Sequence, residues 1–195
     1  MDFILASESP RRKKLLLDYG FKFKVIPSEI NEKKVPYKKP SLYVKKLAYA
    51  KALAVFQKNT NSVVFGADTI VVLEGKLIGK PKNNSDAKKI LHKLSGKKHY
   101  VYTGFCILDG NLNKKIVGYS KSCVKFKKLD GPAIDNYLKN ENALDKAGGY
   151  NAEDKSSKIF IDFIKGSKTN VVGLPMDLVV LALRKIGIKA KKKAH

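Results

Sequence analysis

Phe3-Ile4-Leu5-Ala6-Ser7-Glu8-Ser9-Pro10-Arg11-Arg12 decides the fold class. Its opening apolar run reads as a short buried strand. Ser9 and Pro10 follow at once, a residue that caps a helix and one preorganised for its first turn. Leu15, Leu16 and Tyr19 give that helix an apolar face, and Gly20 ends it. A strand that runs straight into a capped helix is the start of an α/β unit.

The alternation continues along the chain. Residues 21–26 alternate apolar and basic, as a half-buried strand does. Residues 29–40 are polar, hold two prolines and read as a loop. Residues 41–56 place Leu42, Val44, Leu47, Ala48, Leu53 and Phe56 at helical spacing, with Ser41 as the expected cap. Residues 63–65 and 69–73 are apolar on either side of Gly66-Ala67-Asp68, and Glu74-Gly75-Lys76 reads as a tight hairpin connection. Ser85 is the expected cap of a helix that ends at Leu94 before Gly96. Residues 100–108 and 116–126 read as long strands joined across Asp109-Gly110-Asn111. Asp130-Gly131-Pro132 opens a helix to about Leu138, residues 159–164 form a strand, and Pro175 opens a last helix through Leu183. No repeat or linker interrupts the 195 residues. The expectation is one α/β domain over 1–195 with a cleft between two lobes and a basic tail at 189–195.

Composition narrows the function classes. Hydrophobic residues make up 44% and charged residues 29%, which suits a packed core. No apolar run approaches the roughly 18 residues that span a bilayer, so no membrane partner is expected. The first residues lack a basic n-region, so no secretory signal is expected. Cys106 and Cys123 stand apart, without metal spacing, which fits a reducing, cytoplasmic setting. The formal charge is +23, from 37 lysines and three arginines against 17 acids. Lysine pairs are spread along the chain, as on a solvated surface. A nucleic-acid binder needs a clustered basic face with stacking aromatics, and the tail at 189–195 supplies neither; no specific nucleic-acid partner is expected. Arg11 and Arg12 carry more information. A chain that uses lysine so consistently yet sets two arginines side by side needs the guanidinium fork there, which matches phosphate or carboxylate.

Four groups of residues bear on chemistry. Ser7, Ser9, Arg11 and Arg12 lie where a strand meets a helix start, whose unpaired N–H groups and dipole favour an anion such as phosphate. The alternative is an ordinary capped helix with solvent-facing arginines. Asp68, set in strand-like sequence, is costly to bury unpaired; it is paired, caps a turn, ligates a metal or acts as a base. Lys80, just beyond the hairpin, is either a neighbour of Asp68 or one more surface lysine. Glu8, Glu29 and Glu32 are carboxylates that would join Asp68 around a cation, since Mg²⁺ takes one or two carboxylates plus phosphate oxygens and waters. Tyr150 after Gly148-Gly149 either stacks on a base or packs in a turn. There is no Walker motif, GxGxxG, GxSxG or HExxH.

Together, Ala6-Ser7-Glu8-Ser9-Pro10-Arg11-Arg12, Gly66-Ala67-Asp68-Thr69, Gly79-Lys80-Pro81, Asp145-Lys146-Ala147-Gly148-Gly149-Tyr150 and Asn170-Val171-Val172-Gly173-Leu174-Pro175 resemble the Maf family over nearly the whole chain. The resemblance implies an elongated two-lobed, mixed-sheet fold with a deep central cleft, related to inosine triphosphatases. It implies a cytoplasmic, often dimeric nucleoside triphosphate pyrophosphatase that needs a divalent cation, Mg or Mn. By the same resemblance Asp68 is the proton acceptor, Arg12, Glu32, Lys51 and Lys80 are active-site positions, and Glu32 and Asp68 hold the metal. Arg11, Thr69 and Glu153 match positions of base selection. The dTTP/UTP type usually carries Gln where this chain has Glu153; the 7-methyl-GTP type carries Glu there but usually replaces the Thr at 69. This chain joins Thr69 to Glu153. The family name also implies a role in septum formation, and a non-enzymatic regulator and a nucleic-acid binder are the alternatives from other classes.

Overall fold

A computed structural model describes residues 2–191; residues 192–195 of the expected basic tail lie outside the described residues. In chain order the elements are β1 (Phe3–Leu5), α1 (Pro10–Asp18), β2 (Lys24–Val25), α2 (Pro40–Phe56), β3 (Val63–Leu73), β4 (Lys76–Ile78), α3 (Asn84–Leu94), β5 (Lys98–Asp109), β6 (Lys114–Phe126), α4 (Gly131–Asn140), β7 (Ile161–Lys165), α5 (Lys168–Val172) and α6 (Met176–Arg184). The strands form one mixed sheet in the order β2-β1-β3-β5-β6-β7, with β4 paired to β3. β1 runs parallel to β2 and β3, whereas β4 is antiparallel to β3 and β7 antiparallel to β6.

The chain divides into two compact units. The first takes the described parts of residues 1–68, 103–120 and 173–195; the second takes residues 69–102 and 121–172. In the first unit, Ile4, Ala6, Val64, Cys106 and Leu108 of the sheet pack on Ala48, Ala52 and Val55 of α2. Two glycines permit that packing. A Cβ at Gly66 would stand 2.4 Å from the Ala48 carbonyl oxygen, and one at Gly104 would stand 2.3 Å from that of Val44. The α2 backbone therefore lies directly on β3 and β5, closer than any side chain would allow. In the second unit, Val71, Leu73, Val101, Val124 and Phe126 pack on α3 and α4 through Ala87, Leu91, Leu94, Ile134 and Tyr137.

Local chemistry explains several element ends. The Ser9 side chain accepts from the Arg12 N–H, Pro10 takes the first turn, and Gly20 is left-handed at φ +80°. Asp130 caps α4 on Ala133. Glu74 and Gly75, both at positive φ, join β3 to β4 in a two-residue turn with Leu73 opposite Lys76.

Several expectations need correcting. Ser41 does not cap α2, because Pro40 is already helical and Lys39 holds the cap position without a side-chain bond. Asn83, not Ser85, caps α3, accepting from the Asp86 N–H. Gly66-Ala67-Asp68 does not interrupt two strands: β3 runs unbroken through it, the glycine serving close approach to α2 rather than a turn. β2 is only two residues long and exposed. The five-residue helix α5 is too short to show a period in sequence.

Candidate functional site

In the first unit, three elements bring charge to one place. β3 carries Asp68, which is 7% exposed, at the end of that unit's stretch of the strand. α2, held against β3 by the Gly66 contact, presents Lys51 to it. The Lys51 ammonium donates to Asp68 Oδ1 at 2.6 Å and pairs with Glu32 Oε1 at 2.7 Å. Glu32 reaches in from a single 3₁₀ turn, Glu32–Lys34, whose start is capped by the Asn31 side chain. One cation thus bridges a buried and a half-exposed carboxylate.

Arg12 is the other anchor. It is buried, donating from Nε to the Gly173 carbonyl at 3.1 Å and from Nη1 to Ser7 Oγ at 3.1 Å. Ser7 Oγ also accepts from the Ser9 N–H at 3.3 Å. Burial pulls the Arg12 pKa below the ordinary arginine value, and the charges of Asp68 and Glu32 act against that pull; the group stays a cation. The solvent-facing alternative is thereby excluded for Arg12, whereas Arg11 is half-buried. Ser9 is occupied in capping α1.

The sequence reading missed two members of this group. The pKa of Tyr43 is raised by burial and by the charges of Asp68 and Glu32, so it lies in the field of both carboxylates. It stands two helical turns before Lys51, with Leu47 between them, a spacing that marks one face of α2. The Gly173 carbonyl was unreadable as an Arg12 acceptor, since 161 residues separate the two. Glu8 and Glu29 are exposed, and Glu32 is the glutamate of the three that joins Asp68 through a shared cation.

The second unit holds Thr69, Lys80 and Glu153. Thr69 is half-buried on β3, next along the strand from Asp68. Lys80 is exposed, two residues beyond the last paired residue of β4, in a segment tied by the Gly148 N–H to the Gly79 carbonyl at 3.1 Å. Glu153 is exposed in a turn that a buried cation holds: Lys146 is 6% exposed and pairs with Asp154, which also accepts from Asn151 Nδ2 at 3.0 Å and from the Tyr137 hydroxyl at 3.1 Å. The Asp145–Tyr150 motif is therefore structural at Lys146. Tyr150 packs rather than presenting its ring to a base: it is 5% exposed, edge-on to Phe126, and its hydroxyl lies 2.7 Å from His99 Nε2.

His99 and Cys106 are poor catalysts where they stand. Burial pushes the His99 pKa down to about 4 and the Cys106 thiol up to about 12. Both cysteines are free. No described helix is long and apolar enough to cross a membrane.

Known proteins carry the same sequence plan. Residues 2–186 match the family described as Maf: Maf-like protein. A protein of Bacillus cereus named dTTP/UTP pyrophosphatase is 44% identical over 95% of this chain and 95% of its own length. One from Citrifermentans bemidjiense with the same name is 44% identical over 94% of this chain and 95% of its own. A solved structure of a HAM1 protein from Coxiella burnetii is 14% identical, with a TM-score of 0.44 over 65% of this chain and 73% of that one.

Proposed function

The chain belongs to the Maf family, and from that membership we propose that it is a nucleoside triphosphate pyrophosphatase that converts dTTP and UTP to the monophosphate and pyrophosphate. The observation that carries this reading is the Lys51 ammonium shared by Asp68 and Glu32, in the field that also reaches buried Arg12. Residues 1–195 act in it as one Maf-like domain. From the same family membership we take the setting to be cytoplasmic and the working form a homodimer.

In the proposed mechanism the start of α1, Ser7, Ser9, Arg11 and Arg12 hold the phosphates, with Lys51 and Lys80 balancing their charge. Asp68 accepts a proton from water while the water oxygen bonds to the α-phosphorus. The bond from that phosphorus to the α,β-bridging oxygen breaks, and pyrophosphate leaves with the electron pair. Lys51, bonded to Asp68 Oδ1, fixes the rotamer of that carboxylate. The donor set suits Mg²⁺ or Mn²⁺: two carboxylates that bond one ammonium already converge, and such cations take carboxylate oxygens together with substrate phosphate and water. Asp68 and Glu32 are the residues that would hold the cation. When bound, the cation supplies Lewis-acid stabilisation of phosphate charge. Thr69, Arg11 and Glu153 select the base. Glu153 can only accept hydrogen bonds, which suits a pyrimidine N3–H and also leaves room for the 7-methyl-GTP type.

A nucleotide panel read by pyrophosphate release, with and without Mg²⁺ or Mn²⁺, tests the reading. Turnover of dTTP and UTP is expected, and preference for 7-methyl-GTP would move the chain to the other type. Asp68→Asn is expected to abolish turnover with the fold retained. Near-normal release by that variant would remove Asp68 from the role of base.

A further inference from the structure

Lysines that look scattered in the sequence gather on one sheet face of the second unit. Along β5, His99 and Val101 are buried while Lys98 and Tyr100 are exposed and Tyr102 half-buried. Along β6, Ser122, Val124 and Phe126 are buried, and Lys121, Cys123 and Lys125 alternate with them on the open side. On β7, Phe163 lies opposite Lys125 and Lys165 opposite Cys123. Side-chain contacts join the three strands into one surface. The Lys121 ammonium stands 4.0 Å from the Tyr100 ring centre and 5.7 Å from that of Tyr102, and the Lys98 ammonium 5.9 Å from that of Phe163. Tyr100 is 38% and Phe163 40% exposed. Three aromatic rings and four ammonium groups thus share a face on which none of these positions is acidic. Lys125 also lines an adjoining groove of about 660 Å³ with Lys97, Lys127 and Lys128, which extends the basic strip; Asp162 is the acid in that lining.

The chemistry selects the occupant. A second copy of this face would set ammonium against ammonium. An acidic protein would satisfy the lysines but leave the rings exposed, and a duplex hides its base faces. A single strand offers phosphates to the lysines and unstacked bases to the rings. We propose that this face of β5, β6 and β7 binds single-stranded nucleic acid, with bases on Tyr100, Tyr102 and Phe163 and phosphates on the lysines around them. On binding, Lys121 leaves the Tyr100 ring for a phosphate and a base takes its place.

Fluorescence anisotropy of the full chain with labelled oligo-dT and oligo-rU of about 12 nucleotides, against a duplex of equal length, tests the proposal. Both single strands are expected to bind more tightly than the duplex. Phe163→Ser and Tyr100→Ser are each expected to weaken binding about tenfold, while Phe163→Tyr and Tyr100→Phe retain it. Lys121→Gln with Lys165→Gln should reduce the slope of log affinity on log salt by roughly 0.7 per lysine. Lys58→Gln with Lys185→Gln, the same charge change in the first unit, should leave binding at the parent value. Pyrophosphate release should be unchanged throughout, and thermal unfolding confirms that each variant is folded. The proposal is overturned if the serine variants bind as the parent does, if the Lys58 and Lys185 pair weakens binding equally, or if inorganic polyphosphate competes as well as the oligonucleotides. A change in sedimentation on substituting Lys121 and Lys165 would instead assign the face to self-association and equally overturn it.

Discussion

Replacing Lys51 by Met removes one ammonium from two carboxylates at once, and the structure allows its cost to be divided. The Asp68 side chain is 10% exposed and its partner Lys51 12%, so their contact at 2.6 Å is a buried pair. Breaking such a pair from one side costs about 3–5 kcal/mol, because a charge is left in a poorly solvated place. The Glu32 side chain is 51% exposed, and that arm is worth about 0–1 kcal/mol, as for surface pairs. The field of Arg12 still reaches Asp68, which favours the low end. The expected loss for Lys51→Met is about 3 kcal/mol, or roughly 6–12 °C in Tm for a chain of this size. Asp68→Asn removes the charge but keeps an acceptor for Lys51, and should cost about 1–2 kcal/mol. The double variant is the decisive one: with neither charge buried, it should be more stable than the sum of the singles by about 2 kcal/mol. Denaturant unfolding with a constant m-value measures all three. If Lys51→Met lies within about 0.5 kcal/mol of the parent, or the two changes simply add, Lys51 does not neutralise Asp68 and the account of the site is wrong.

Other outcomes follow from the same geometry. Arg12→Lys keeps the charge but removes the Nε–H bond to the Gly173 carbonyl and the Nη1–H bond to Ser7 Oγ; it should cost about 1–3 kcal/mol and raise KM or lower kcat, and unchanged kinetics would show that the fork is not needed. Gly66→Ala puts a methyl group 2.4 Å from the Ala48 carbonyl oxygen, so α2 must shift; about 1–3 kcal/mol of overpacking and a fall in kcat/KM are expected, and a variant with parental Tm and activity would contradict the close approach. His99 is held neutral by burial, at about 4 against an ordinary 6.5. The unfolded chain binds that proton first, so stability is complete above pH 6.5 and falls by about 3 kcal/mol as pH drops toward 4. His99→Gln should flatten that part of the pH profile of Tm, and parallel profiles for the two proteins would refute the assignment.

Much of the fold was legible because its signals are local. Ser9-Pro10, Glu74-Gly75 and Asp130-Gly131-Pro132 each act on the backbone within a few residues, and each is found where it was expected. Ser41 and Ser85 misled for the same local reason: a better starter, Pro40 or Asn83, stood just before each of them. Gly66 misled differently. A glycine within an apolar run reads equally as a turn or as a place where another backbone comes close, and only the arrival of α2 distinguishes them.

By itself the sequence determined the alternation of strands and helices, the scarcity of arginine and the motifs that mark the Maf family. Only the tertiary structure decided what those residues face. Lys51 meets Asp68 because a glycine lets a helix lie on a strand, and Arg12 is buried because a carbonyl 161 residues away accepts its Nε–H. Lys98, Lys121 and Lys165 share a face because β5, β6 and β7 are neighbours in the sheet. A single strand's period of two tells which residues point the same way, but not which other strand's lysines point beside them. That depends on pairing and register, which are properties of the folded chain alone.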